Sequence, residues 1–529
     1  MWLYSLLKES LRRLPDDLVM RRLKDKLPVI QVQPSQEGAR VLVQAVQDPY
    51  YIALFSVLLQ QMVKHTKVSA ELFVFTSVNV EFGVGIRASL KRSFLYLWLT
   101  RRQWLRMYEG VAPRVGYRSV SWAHPVEDAM AYFRSTKLWK KLYSVRALEA
   151  LSLDGIHCGD LIIDTYLRFR PAKTVDLLDP FLRDLIWQAY RDIVRAKRYF
   201  NRARPKLFLS SYSTYIQHGI AVRVALGYGT KVVTFGNLQQ LGKELSVKDV
   251  FHTKNPVGYK HDFAKRKDQE QLLELARAQL ESRLSGGIDV ATSYMTTSAY
   301  AESVGDCPDV RGTVVVYLHD FFDSPHIYAD LVFTDFWIWI CFTIETLQAA
   351  RVPFYLKRHP NQVDLSAGVV SELKKKYPSV LFVPDGVTTR QLVTGGMACA
   401  VTVYGTIAHE VAYLGVPSIS CARHPHIAFD FCHTARSVEE YAGLLKQANQ
   451  LSLGDVDIVR KQVLMFYAMH NIDLLSDRPN AIGCIAELWR ACNSSEQNAK
   501  KIVSAMERLT QEPAFGEFVR TVLVDGEKV

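Results

Sequence analysis

The sequence predicts an α/β protein built as two doubly wound halves with a cleft between them, followed by a helical C-terminal tail. Three observations predict it. From Ala39 onward, apolar runs of strand length alternate with longer amphipathic runs, which is the rhythm of βαβ units. That rhythm is interrupted by a polar, lysine-rich stretch from Gln239 to about Asp309 and resumes at Thr313. Past Asp455 only helical periodicity is left. A length of 529 residues agrees, because one hydrophobic core does not grow that large. The expected divisions are an amphipathic helical segment at 1–38, a first α/β domain with closing helices and linker at 39–309, a second α/β domain at 310–455 and a helical tail at 456–529.

In the first half, Arg40 to Gln47 reads as a strand, Pro49 to Lys64 as a helix, Ala70 to Val78 as a strand and Gly85 to Arg106 as a long basic helix. Asp179-Pro180 opens another helix with a capping side chain and a proline at its first position, running to about Arg204. Lys206 to Ser210 is the next strand, Thr214 to Leu226 a helix and Lys231 to Phe235 a strand. A helical pattern at Gln269 to Leu284 closes this half. The second half reads as strand Val314 to Leu318, helix Thr334 to Arg351, strand Pro353 to Lys357, helix Ser366 to Lys376 and strand Val380 to Val383. Thr388 with Gln391, and Ser437 with Glu440, fit the capping box and mark two further helix starts.

Composition bounds the function class. With 49% hydrophobic and 22% charged residues the chain is globular, and a formal charge of +12 implies attraction to nucleotides, nucleic acid or an anionic membrane surface. The basic residues are dispersed without a recognition motif, so no nucleic-acid partner is expected. Eight cysteines lack any CxxC pair and several sit in apolar runs, which reads as reduced thiols in a cytosolic protein rather than a zinc site or disulfide scaffold. No segment reaches the roughly 18 uncharged apolar residues of a membrane span. The N-terminal segment is amphipathic, with Trp2, Leu3, Leu6, Leu7 and Leu11 against Lys8, Arg12 and Arg13; it is a candidate interfacial anchor or a helix packed on the protein itself. Residues 87–106 mix aromatics and arginines in the same way.

The most informative stretch is Ala398 to Pro417, a buried strand, a glycine turn and a helix carrying one acid. Gly405 ends the strand, so the following helix would present its first N–H groups as an anion site, with Thr406 as cap or hydroxyl donor. Glu410 lies one turn in, where a carboxylate accepts hydrogen bonds from a sugar diol; the plain alternative is an ordinary crossover with a solvated Glu410. Upstream, the strand VPFYLK runs into Arg358-His359-Pro360. Ligands of open α/β sheets sit outside the carboxyl ends of the strands, so Arg358 and His359 are expected beside Gly405.

On these residues the chain resembles the GT-B glycosyltransferases of bacterial capsule and lipopolysaccharide synthesis, with two Rossmann-like domains. The resemblance is carried by KRHP at 357–360 and by YGTIAHE at 404–410 followed by LGVP, and it is similar to the His-Pro motif of Kdo transferases and sialyltransferases. It implies that 310–455 binds the nucleotide-sugar donor and 39–309 the acceptor, that His359 and Pro360 approach the nucleotide and its phosphate, that Thr406 binds phosphate and that Glu410 holds the ribose. This chain has Tyr404-Gly405-Thr406 where many relatives have a Ser-Ser or Ser-Thr pair. No metal and no cofactor beyond the nucleotide-sugar co-substrate is implied, since the N–H groups and Arg358, with Lys357, would stabilise the leaving nucleotide.

A base for the acceptor hydroxyl is still needed, and three stretches offer one. HDFFDSPH at 319–326 follows a strand and carries Asp320, Asp323 and His326, an acid and a histidine able to act as base and orienting partner, or else simply a capped turn. GDLIIDTYLRF at 159–169 offers Asp160, Asp164 and Arg168, with Asp164 and Arg168 also spaced as an intrahelical ion pair. SSYSTYIQHG at 210–219 places Ser211, Tyr212 and His218 near a turn, as acceptor-sugar contacts or helix caps. Asp323 is the preferred base, then Asp164, with His326 beside them; Arg168, Ser211, Tyr212 and His218 are the expected acceptor contacts. His424 or His426 is a candidate for lining the nucleotide pocket. The expected activity is sugar transfer from a nucleotide donor, CMP-linked acidic sugars ahead of UDP- or GDP-sugars, to a surface polysaccharide or lipid-linked glycan at the inner face of the membrane. A sugar-nucleotide epimerase, a polyol-phosphate transferase and a non-catalytic scaffold are the alternatives.

Overall fold

The structure is a computed structural model, and it describes residues 39–44, 49–65, 68–74, 114–117, 125–170, 172–237, 240–287, 300, 305–359, 364–472, 479–494 and 499–520. The N-terminal segment 1–38, the basic helix expected at 85–106 and Pro360 lie outside the described residues. The chain divides into two compact units: residues 1–162, 177–252 and 477–529 form the first, and 163–176 with 253–476 the second.

The first unit is organised on a sheet of β1 (Ala39–Gln44), β2 (Val68–Val74), β3 (Arg114–Tyr117), β6 (Leu207–Ser210), β7 (Lys231–Asn237) and β8 (Gln240–Leu245) in the order β3-β2-β1-β6-β7-β8; β4 (Ser152–Leu153) and β5 (Ile156–His157) make a separate hairpin. All neighbours in the sheet are parallel except β7 and β8. The Pro49–His65 helix, YYIALFSVLLQQM along most of its length, has no wide polar face and is covered all round. Much of that cover comes from the Pro479–Asn493, Ala499–Gln511 and Pro513–Phe518 helices, whose Ile485, Leu488, Met506, Leu509, Phe515 and Phe518 share one apolar core with Val41, Leu54, Phe55 and Leu58. The Pro180–Ala203 helix begins as its sequence predicts, with Asp179 accepting from Phe181 N–H at 2.9 Å and Pro180 in the first turn. The helix expected from Thr214 is instead a π-turn, Tyr215–Gly219, continuing into α-helix Ile220–Gly227.

The second unit holds β9 (Val314–Tyr317), β10 (Phe354–Lys357), β11 (Leu381–Phe382), β12 (Cys399–Val401), β13 (Ser418–Ser420) and β14 (His433–Thr434) in the order β11-β10-β9-β12-β13-β14, all parallel. Both sheets therefore step outward in one direction from their first strand and then in the other, which is the doubly wound, Rossmann-like order. β9, β12 and β13 are buried throughout, in keeping with a parallel sheet covered on both faces. Thr388 and Gln391 form the expected capping box, and Ser437 caps its helix by accepting from Glu440 N–H at 3.2 Å. Gly415, at φ +90°, ends the Ile407–Tyr413 helix in the left-handed region that glycine tolerates best.

The fold class expected from the sequence is the one found, but the divisions differ. Residues 253–309 pack with the second unit, not with the first. The stretch after Gln239 was expected to carry few strand signals, yet it supplies β8, which hydrogen-bonds along β7 and is too polar to be recognised as a strand. The region past Asp455 is not one tail: Val456–Tyr467 packs into the second unit's core, while the later helices complete the first unit. None of the eight cysteines is in a disulfide. Among the described residues no helix is long and apolar enough to cross a membrane.

Candidate functional site

In the second unit the winding reverses between β9 and β12, so the crevice outside their carboxyl ends is the natural ligand position. β9 leads into His319 and Asp320, and β12 into Thr402, Tyr404, Gly405 and Thr406. His319 stacks on Phe336 with ring centroids 4.9 Å apart and leans on Tyr404 at 4.8 Å. Its Nε2 lies 3.1 Å from Thr402 Oγ1, and the same oxygen accepts from Gly405 N–H at 3.1 Å. The arrangement that uses the threonine's own proton has Nε2 accepting, which leaves the ring proton on Nδ1. Burial, and then the neighbouring His359, pushes His319 down to about 3, so it is a neutral imidazole. A Cβ on residue 405 would stand 2.8 Å from Thr402 Oγ1, which explains the glycine. Sequence reasoning passed over His319, although it follows β9 at the same offset as His359 follows β10.

The structure joins two of the stretches nominated for the base. Asp164, on the Gly159–Phe169 helix, and His326 both lie in the second unit and are buried, with Asp164 Oδ1 2.6 Å from His326 Nδ1. A carboxylate only accepts, so this bond puts the imidazole proton on Nδ1 and leaves Nε2 as the basic nitrogen. The Asp164 carboxylate thus meets a histidine, instead of the ion pair with Arg168 that their spacing suggested; Arg168 is exposed. Asp335 lies close enough to His326 to feel its charge; burial raises its carboxyl, offset by Thr174 Oγ1 donating at 2.5 Å and by Ile338 N–H, for which it is the helix cap. The loop bearing His326 is anchored to the Gly405 turn by Tyr404, whose hydroxyl donates to Ser324 O at 3.1 Å.

Asp323, the preferred base, is exposed at its surface, yet the protein packed around it raises its carboxyl, opposed by Ser324 N–H and then by Arg168. No histidine is hydrogen-bonded to it among the described residues. Asp320 accepts from Phe322 N–H at 3.1 Å and from Ser366 Oγ at 2.5 Å, which ties it to the Asp364–Lys376 helix.

The donor-site expectations separate. His359 is half-buried; burial lowers it and Asp320 raises it, and it is near enough to His319 to depress it. One strand lies between β10 and β12, so it is His319 that fills the position next to Gly405 expected for Arg358 and His359. Arg358 turns to an ion pair with Asp385, and Lys357 donates to Val387 O at 2.5 Å, its ammonium lowered by burial to about 8. Thr406 is partly exposed and makes no capping bond. Glu410 is neither solvated nor open: Oε1 accepts from Arg283 Nε at 2.9 Å and Oε2 from the Tyr300 hydroxyl at 2.8 Å. Burial raises this carboxyl, but Arg283, with His409 and Tyr300, outweighs it and holds Glu410 below its usual value. His424 and His426 were candidates for lining a pocket; both are fully buried, His424 bonded to Thr434 Oγ1 at 2.6 Å and His426 to His409 at 3.1 Å, in a core centred on Phe466. Their apolar neighbours claim them because neutral imidazoles bury like small aromatics.

Three acceptor candidates lie in the first unit, at the carboxyl end of β6. Ser211 is buried, Tyr212 packs edge-on to His218 and His252 at 5.8 and 5.1 Å, and Ser213 accepts from His252 N–H at 2.9 Å. Burial pushes His218 down to about 3, with His252 adding to the effect. Gln44, at the end of β1, accepts from Ser210 Oγ at 2.5 Å and donates to Gln217 O at 2.5 Å, which holds the π-turn against the sheet. Tyr215, at φ +59°, opens that turn in a conformation uncommon outside glycine.

No family model and no curated protein matches the chain. Among solved structures it is similar to a UDP-N-acetylglucosamine 2-epimerase from Rickettsia bellii, at 9% identity and a TM-score of 0.25 over 92% of this chain and 99% of that one. It is also similar to a glycosyltransferase from Rickettsia africae, at 9% identity and 0.26 over 87% and 100%, and to Anabaena HepE in complex with UDP and glucose, at 12% identity and 0.22 over 88% and 100%. At these scores it is the strand orders, not these likenesses, that establish the architecture, and the chemistry has to be argued from the side chains.

Proposed function

We propose that the chain transfers a sugar from a nucleotide-sugar to a glycan or lipid-linked acceptor, with the donor nucleotide held in the second unit. The observation that carries this reading is the buried Asp164–His326 pair at 2.6 Å, whose histidine lies on the loop that leaves β9 beside the switch point. Asp164 orients the ring and favours its protonated form, while Nε2 takes the proton from the attacking hydroxyl. The donor's phosphates are assigned to the crevice lined by His319, His359, Gly405 and Thr406, where Nδ1–H of neutral His319 supplies a donor for a phosphate oxygen. The assignments made from the sequence, of Pro360 to the nucleotide and of Arg168, Ser211, Tyr212 and His218 to acceptor contacts, are kept as part of this proposal. The net charge of +12 favours an acidic donor such as a CMP-linked sugar and an acceptor presented at an anionic surface.

The test combines ligand-induced thermal shift with turnover. One of CMP, CDP, UDP, GDP or ADP should raise the melting temperature, because it binds the native state alone. His359→Ala should weaken that shift. His326→Ala should leave it intact and lower sugar transfer by about 10²–10⁴-fold. No shift with any nucleotide, or full turnover by His326→Ala, would overturn the reading. Epimerisation of a free nucleotide-sugar is a second reading, favoured by two carboxylates on one loop, Asp320 and Asp323, of which Asp323 is raised by burial and, to a smaller extent, by the charge of Asp320; conversion of the donor to its epimer without acceptor would establish it.

A further inference from the structure

One helix of the first unit carries an outer face that nothing among the described residues covers. On Pro125–Trp139, Val126, Met130 and Phe133 are 70%, 48% and 72% exposed, at i, i+4 and i+7. That spacing aligns them in one stripe, since a helix returns to the same side every 3.6 residues. Lys137 continues the stripe at i+11, and exposed Lys140 and Lys141 follow in the turn, with Tyr143 86% exposed beyond them. The opposite face is occupied: Ala131 and Ser135 are buried, Trp139 donates to Leu177 O at 2.7 Å, and the Pro180–Ala203 helix packs here.

The helix's charges sort the same way. Its acids are paired on the Pro180–Ala203 helix, Asp128 to Arg191 and Arg195 at 3.1 and 3.2 Å and the half-exposed Glu127 to Arg198. The lysines at 137, 140 and 141 are in no ion pair among the described residues. The outward stripe is thus apolar at one end and cationic at the other and carries no carboxylate, the half-exposed Glu127 beside it being paired with Arg198. A protein partner would need an apolar groove flanked by acids, but a phospholipid surface offers both chemistries at once, acyl chains below and phosphates above.

We infer that the Pro125–Trp139 helix is an interfacial docking element that lays Val126, Met130 and Phe133 into an anionic bilayer surface while Lys137, Lys140 and Lys141 contact lipid phosphates. The inference does not depend on the donor chemistry, and it differs from the anchor expected in residues 1–38. It is tested on the full chain by sedimentation with vesicles of phosphatidylcholine alone and with added phosphatidylglycerol. Wild-type protein should bind the anionic vesicles and be released by salt. Phe133→Ser with Met130→Ser, and separately Lys137→Gln with Lys140→Gln and Lys141→Gln, should each weaken partition by about tenfold or more, at unchanged melting temperature and nucleotide binding. Failure of wild-type protein to bind, equal binding to neutral vesicles, or undiminished binding by both variants would overturn it. A shift from dimer to monomer on Phe133→Ser, read by light scattering, would assign the face to a second copy of the chain instead.

Discussion

Glu410 has one oxygen on Arg283 and the other on Tyr300, in a site where Arg283 is itself nearly buried. Removing one member of such a pair leaves the other charge uncompensated, so Glu410→Gln should lower the unfolding free energy by about 3–5 kcal/mol in urea denaturation. A loss under about 1 kcal/mol would mean that the pair behaves as a surface ion pair. The sequence offered this residue as a ribose ligand or as a solvated acid, and no spacing could reveal a partner 127 positions upstream. Asp164 and His326 were both legible as reactive types; their union, across 162 positions, was not. The buried histidines make a second prediction. His218 and His424 are held down to about 3 and His252 to about 4, mainly by burial, against an ordinary value of 6.5. Each is neutral when folded, so below pH 6.5 the unfolded chain binds more protons, and stability present above that pH drains away as the solution is acidified toward 4 and 3. Calorimetry across this range should show the melting temperature falling from about pH 6.5 downward; a flat profile to pH 4 would contradict the burial of these rings.

At the scale of elements, the strand-turn-helix around Gly405 could be read because each part has a local cause: an apolar run, a glycine and a helical repeat. The caps at Asp179, Thr388 and Ser437 were legible for the same reason. β8, β14 and the π-turn were not, since a short polar edge strand exists only through its neighbour's hydrogen bonds and a π-turn through the packing it relieves. Gly405→Ala tests the turn directly. The added methyl must displace Thr402, and with it the hydroxyl that holds His319, at a cost of about 1–3 kcal/mol in stability. Affinity for the stabilising nucleotide should fall by about tenfold if the His319 donor is worth an ordinary charge-assisted hydrogen bond. Unchanged affinity in isothermal titration would remove the turn from the ligand site.

For the whole molecule, composition and rhythm were enough to predict two doubly wound units, yet not which residues belong to each. Chain order suggests neighbours in sequence, whereas cores recruit whatever apolar face is complementary. The chain passes from one unit to the other at 162/163, 176/177, 252/253 and 476/477. Leu509→Ala, deep in the first unit's core, should therefore cost about 2–5 kcal/mol in that unit although it lies far from β1 in sequence, and a hydrogen-exchange map should show protection lost at 41–62 and not at 314–318. The same path sets an order of events during synthesis. Gln61 donates to Thr510 O across 449 positions, so the nascent first unit leaves the ribosome with its Pro49–His65 helix uncovered and waits until the 479–518 helices have been made before that helix can be enclosed. The second unit, contiguous from 253 to 476 apart from one short upstream piece, can close while translation is still under way. The unit that is begun first is finished last, and its exposed apolar helix in the interval is the stage at which a chaperone or a slowed ribosome would most change the yield of folded protein.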